Sequence, residues 1–310
     1  MFRRIGAIAL NTYREAVRAR ILIGLFALAL ATAGYCMVVG EFALRSTLRV
    51  VADLGAASVS LYGVSVAVVL GATSLYRELE LKTLFPILAR PIRRTEYLVG
   101  KYLGAVATLA VFILANAGVL LLALGALSGT RAVEAAAVLG GSLVVVVLAA
   151  VRLPRFRTFA PVPWAVVLAV SGWALAVDAP DDRRVVLGSA VLTLCEVGIV
   201  TAIATVFSSF SSPFLTALFT FGVFLVGRSA DTLAHLPERF FGHAIHQVAA
   251  GLSHVVPNLM LYVPPRSLLT GEAIGAGLGE YLLLATAHAL AWSAGLLAAA
   301  SLIFRRRDFL

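Results

Sequence analysis

Charge is what this chain lacks most. Only 13% of its 310 residues are Asp, Glu, Lys or Arg, where a soluble domain averages roughly 25%. Such a chain cannot coat a globular surface with charge, and its long uncharged runs place it in a membrane. Cysteine is nearly absent. Cys36 and Cys195 both lie inside apolar runs, which excludes a disulfide framework and leaves packing roles. There is no low-complexity tail and no short-period repeat. The longest segment between apolar runs is 229–280, so no soluble domain is expected.

A nucleotide-binding loop is missing as well. Gly100-Lys101 superficially suggests one, but G-x-x-x-x-G-K-[ST] needs a glycine where Thr95 stands and a small hydroxyl where Tyr102 stands. Without them the backbone cannot surround phosphates and no hydroxyl reaches Mg²⁺. Leu127-Ser128-Gly129-Thr130 is similar to the start of an ABC signature, yet it sits at a membrane exit with no ATPase domain around it. No basic stripe carries the interleaved aromatics that strand binding needs, so nucleic acid is excluded as a partner. The net charge of +9 clusters instead at the edges of apolar runs, where Lys and Arg meet anionic lipid headgroups and set orientation.

What is present is apolar: 61% of the residues are hydrophobic and the mean hydropathy is +0.97. A spanning helix needs about 20 such residues. Eight candidate spans follow: 21–40, 55–76, 102–127, 135–151, 161–177, 185–207, 211–228 and 281–304. The two central ones, 135–151 and 161–177, are the shortest and also suit a re-entrant hairpin. Arg3, Arg4, Arg14, Arg18 and Arg20 precede the first run, and Ala31-Thr32-Ala33 mimics a signal-peptidase site. The run stays uncharged to Gly40, however, which is a spanning length rather than a short signal core.

The basic residues fall on one side of this scheme. The N-terminal segment, loops 77–101 and 152–160, and the ending Arg305-Arg306-Arg307 are rich in Arg and Lys. Glu41, Asp53, Glu134, Asp178, Asp181 and Asp182 fall on the other side. The positive-inside rule then places both termini in the cytoplasm. Removing the two central spans together leaves six with the same orientation elsewhere. Residues 1–20 read as an interfacial helix, with Phe2, Ile5, Ile8, Ala9 and Val17 on one face. Segment 229–280 reads as short extracytoplasmic helices broken by Pro257, Pro264 and Pro265.

The most informative stretch is 76–104, YRELELKTLFPILARPIRRTEYLVGKYLG. It is charged and amphipathic, with Leu79, Leu84, Phe85, Ile87 and Leu88 on an apolar face. A cytoplasmic loop of this kind can press on a soluble partner while anchored in the bilayer, as a coupling helix does. Its pattern runs through Glu78, Thr83-Leu84, Leu88, Arg90-Pro91-Ile92, Arg94, Glu96-Tyr97, Gly100-Lys101 and Gly104. It resembles the first cytoplasmic loop of type-2 ABC exporter permeases. Asn11-Thr12 with Arg14-Glu15 resembles that family's N-terminal helix. Phe207-Ser208-Ser209-Phe210-Ser211-Ser212 resembles its tight polar turn, and Phe304-Arg305-Arg306-Arg307-Asp308-Phe309 resembles its ending.

The resemblance implies a single transmembrane permease domain over 1–310, all-α and polytopic. It would have a six-span exporter core with residues 131–184 as a two-span insertion. It further implies a half-transporter that pairs with a second copy or a related permease in the inner (cytoplasmic) membrane. Two separate ATPase subunits would dock through loop 77–94, with Glu78, Thr83, Leu84, Phe85, Leu88, Arg90 and Arg94 at the contact. ATP and Mg²⁺ would belong to those subunits; no cofactor is expected on this chain. Pro91 suits the end of the coupling helix at 78–89, because the residue before proline disfavours the helical region.

Polar residues at membrane depth are functional candidates by default. Glu196, Asn116 and His288 qualify as lining for a substrate path. Glu196 reads equally as interhelical glue, and a Glu196–His288 pair is conceivable. His235, His243, His246 and His254 include no H-E-x-x-H and no fixed ligand array, so no metal site is expected. Gly100 with Gly104, and Gly140-Gly141, offer small faces for close helix approach. Two other functions remain: an ion-coupled secondary carrier, for which no inverted symmetry is evident, and an integral-membrane enzyme using Glu196 and the histidines.

Overall fold

The computed structural model describes residues 2–43, 46–80, 93–129, 131–153, 157–235, 242–272 and 277–306. These residues form helices and connecting turns, with no strand among them. In chain order the helices are α1 (Phe2–Val17), α2 (Arg20–Glu41), α3 (Thr47–Glu80), α4 (Arg94–Leu127), α5 (Ala132–Arg152), α6 (Pro161–Leu175), α7 (Pro180–Ser208), α8 (Pro213–Arg228), α9 (Ala230–Ala234), α10 (His243–Val255), α11 (Arg266–Thr270) and α12 (Leu278–Arg306). Proline opens α6, α7 and α8, where its missing N–H costs nothing and its fixed φ suits the first turn. Ser212 caps α8 by accepting from the Leu215 N–H at 3.5 Å.

Among the described residues, seven helices are long and apolar enough to cross a bilayer: α2, α3, α4, α5, α6 with its 3₁₀ extension to Asp178, α7 and α12. The protein is a multi-pass α-helical membrane protein. Candidate span 211–228 becomes α8, with 16 residues. At 1.5 Å per residue it reaches roughly 24 Å, short of the ~30 Å hydrocarbon core. The central segments 135–151 and 161–177 form two separate spanning-length helices, α5 and α6. α3 and α4 have 34 residues each, roughly 51 Å, so both outreach the hydrocarbon.

α3, α4 and α7 form the packed centre, with α12 against α7 and α2 against α3. Leu109, Leu121, Leu192, Ile199 and Val200 are wholly buried there. Close approach is made possible by glycine. A Cβ on Gly71 would lie 2.3 Å from Ala204 Cβ, at the α3–α7 crossing. α6 lies along α4 through Gly118 and Gly172, where an added Cβ would come within 2.7 Å of backbone on the facing helix. Gly140-Gly141 corrects one expectation: neither glycine has a foreign atom within 4 Å of an added Cβ, so this small face packs against nothing described. The other small pair, Gly100 and Gly104, does serve close approach, and its partner is α1.

α1 therefore lies along α4, with Ile5, Thr12, Tyr13 and Ala16 buried and Arg3, Arg4, Arg14 and Arg18 exposed. The segment after α8 turns back onto the bundle. Leu259 donates its N–H to Gly227 O at 3.0 Å, and Leu259, Tyr262 and Leu269 are buried.

Candidate functional site

Two regions hold the residues singled out above. The first is the root of the loop between α3 and α4. Glu78 lies on the last turn of α3. Thr83, Leu84, Phe85, Leu88 and Arg90 fall outside the described residues, as does most of the expected helix at 78–89. What the structure places is the ground on which that loop stands. Arg94 donates to Phe304 O at 3.0 Å, and Tyr97 and Leu98 form a buried cluster with Ala300 and Phe304. An added Cβ on Gly100 would lie 2.7 Å from Ile8 Cβ, and one on Gly104 would lie 2.5 Å from Ala9 O. Lys101, buried to 6% exposure, reaches Glu15 Oε2 at 3.6 Å. Asn11 donates to Glu15 Oε1 at 2.8 Å. Residues from three distant stretches of the chain thus meet at one end of the bundle. Glu15 on α1 places a carboxylate beside an almost fully buried lysine of α4 and ties the two helices.

The second region lies halfway along α7. Glu196 is fully buried, and it is not alone. Arg228, the last residue of α8, donates from Nε to Oε1 at 2.7 Å and from Nη2 to Oε2 at 2.9 Å. Ser60 on α3 donates to Oε2 at 3.1 Å and lies 2.8 Å from Arg228 Nη2. The guanidinium also sits over the Phe224 ring at 5.6 Å. A fork-on-fork pair satisfies both carboxylate oxygens and ties α3, α7 and α8 together at one point.

Arg228 is 24% exposed at its side chain, Glu196 only 1%. The exposed part of Arg228 faces a cavity of about 310 Å³, which Ser60, Ser189, Thr193, Tyr262 and Arg266 also line. Arg266 closes the far rim by pairing with Asp53 of α3 and Asp182 of α7. Those two carboxylates hold the guanidinium in its charged form against the penalty of its partial burial. Burial, reinforced by nearby Cys195 and Glu196, pushes the Tyr262 hydroxyl well above its ordinary range. It stays protonated and contacts His288 Nδ1 at 2.9 Å.

Of the three intramembrane candidates, only Glu196 belongs to this cluster. His288 pairs with Tyr262 rather than with Glu196. Asn116 donates to Phe112 O of its own helix at 2.8 Å, a local side-chain-to-backbone bond. In the outer segment, His235 Nδ1 lies 2.9 Å from Asp231 O and His243 Nε2 lies 2.8 Å from Gln247 Nε2.

Sequence reasoning missed Arg228, Ser60 and Arg266. One signal for Arg228 was available: a run too short to span leaves its terminal arginine below the far surface, where a cation needs a carboxylate. Ser60 carried no signal. Four of the six acidic residues assigned to the less basic side have basic partners: Arg49 and Arg266 serve Asp53, Arg131 serves Asp178, Arg184 serves Asp181, and Arg266 serves Asp182.

No protein-family model matches the chain, and no curated protein matches it.

Proposed function

We propose that this chain is the membrane subunit of an ATP-driven exporter of the type-2 ABC permease kind, acting with separate ATPase subunits. The observation that supports this reading is the convergence at the loop root. Asn11 to Glu15, Arg94 to Gly104 and Phe304 are among the stretches that carry the resemblance, and they pack on one another at the base of segment 81–92. A loop that transmits force needs a stiff mounting. α1 and the end of α12 brace the start of α4, so displacement of the loop would move α4 as a body. In this reading both termini and the loop face the cytoplasm of an inner-membrane permease, and residues 131–184 are an insertion into a six-span core. A second copy or a related permease completes the transporter. The chain itself hydrolyses no nucleotide; ATP and Mg²⁺ are held by the partner.

Glu196 then acts through Arg228. The carboxylate holds the guanidinium at the floor of the 310 Å³ cavity, and breaking that pair is a step that helix movement could drive.

The loop assignment is tested by replacing Phe85 and Leu88 with Ala together. The expected outcome is loss of ATPase co-purification with insertion into the membrane unchanged. ATPase retained at the parent level would remove the basis for the assignment. An ion-coupled carrier would also use a buried ion pair; export that persists without ATPase and follows an imposed ion gradient would select that reading instead.

A further inference from the structure

A second cavity, of about 410 Å³, opens between α2, α4, α5 and α6. Its walls are apolar: Leu22, Phe26, Phe112, Val147 and Trp164 are representative. Among the described residues, two polar ones line it, Thr108 and Arg157. The Thr108 hydroxyl already donates to Gly104 O at 2.9 Å, so Arg157 is the described lining residue with donors to spare for a polar ligand. On α2 the lining runs from Leu22 to Leu30, and on α5 from Leu143 to Ala150. At 1.5 Å per residue that is roughly 12 Å, within one leaflet's share of a ~30 Å hydrocarbon core. Both stretches lie toward the Arg-rich ends of their helices.

At that end the chemistry changes. Arg157 is exposed and lines the mouth. Two residues on, Phe159 stacks on Tyr13 of α1 at 6.4 Å and lies under the Arg14 guanidinium at 5.3 Å. The α5–α6 connection is thereby pinned to α1, with two arginines beside an apolar slot of leaflet depth. Arginine is suited to phosphate, which its planar fork can bind with two donors.

We propose that this crevice is a binding site for an anionic phospholipid of the leaflet on the basic side. One acyl chain lies between α2 and α5, and the phosphate meets Arg157 and Arg14. A second protein copy would leave both arginines to be matched by carboxylates. A zwitterionic lipid fills the slot equally but gains less from the two cations. The inference is independent of the transport reading.

Trp164 reports on the site directly, since it lines the crevice with its Nε1 donating to Ser142 Oγ at 3.1 Å. In a W173F/W292F background it is the sole tryptophan. The protein is placed in vesicles of unlabelled phosphatidylcholine containing increasing fractions of lipid brominated on its acyl chains. Brominated phosphatidylglycerol should quench Trp164 at a several-fold lower mole fraction than brominated phosphatidylcholine. In Arg157→Gln with Arg14→Gln, the two curves should draw together. Equal quenching by the two lipids in the parent overturns the proposal. So does a preference that survives both substitutions, and so does the absence of quenching by either lipid, as when protein covers the crevice. Ala150→Phe, which fills the slot without touching charge, should weaken quenching by both lipids.

Discussion

Arg228 shows how one side chain changes the meaning of another. A lone carboxylate at mid-bilayer costs on the order of 2.5–3.5 kcal/mol on insertion scales. With Arg228 at 2.7 Å and Ser60 at 3.1 Å, Glu196 becomes half of an ion pair that is neutral as a unit. Removing one partner of such a pair typically costs about 3–5 kcal/mol, because the other charge is left buried, whereas replacing both by apolar groups of similar volume is often tolerated. Arg228→Ala is therefore expected to destabilise the detergent-solubilised protein strongly. Glu196→Leu with Arg228→Met should recover most of that loss. Thermal unfolding of the two single variants and the double variant measures the coupling. Additive losses would mean that the two residues are energetically independent despite their contact. If the pair serves transport, the double variant should be stable and inactive, which separates function from folding.

At the level of elements, glycine decides which helices touch. Gly104 brings α1 against α4, Gly118 and Gly172 bring α6 against α4, and Gly140 faces open space. The consequences differ in sign. Gly104→Val would drive a side chain into Ala9 O and should detach α1, seen as new protease cleavage in residues 2–17 at temperatures where the parent resists. Gly140→Ala meets nothing and removes backbone freedom, so it should leave stability unchanged or raise it by roughly 0.5–1 kcal/mol. Resistance of the Gly104 variant equal to the parent's would show that α1 is held by its side chains alone, chiefly Tyr13 and Ala16. The turn from Ser209 to Ser212 belongs to the same scale. Ser211 donates to Phe207 O at 2.7 Å and lies 2.8 Å from the Thr216 hydroxyl, so the polar residues of this turn satisfy helix ends that would otherwise be bare.

For the whole molecule, the charge distribution makes a statement about sidedness. Arg157 and Gln247 are both exposed, and the positive-inside rule puts 157 on the cytoplasmic side and 247 on the other. In a background without Cys36 and Cys195, a cysteine at 247 should react with an impermeant thiol reagent on intact cells, and one at 157 only after permeabilisation. The reverse pattern would place the termini and the loop root outside, where no cytoplasmic ATPase could reach them.

Composition and the spacing of apolar runs, by themselves, determined that the chain crosses a membrane several times. They also located most helices, because an uncharged stretch of about 20 residues has no alternative to helix in hydrocarbon. The N-terminal helix and the short helices after Arg228 were legible from local pattern too, whereas the proline-opened starts of α7 and α8 lie at 180 and 213 rather than at the first uncharged residues, 185 and 211. Tertiary structure alone decided which faces meet. In water, a buried face is apolar and an exposed face polar, so periodicity reveals the core. In lipid, both are apolar: Val144 is 56% exposed and Leu121 wholly buried, yet the two read alike. The partners of Glu196 come from positions 32 and 136 residues away, and no local pattern marks such a distance. The carboxylate announced that a partner must exist, since an unpaired charge is not tolerated there; only the packing of α3, α7 and α8 could say that the partner is Arg228.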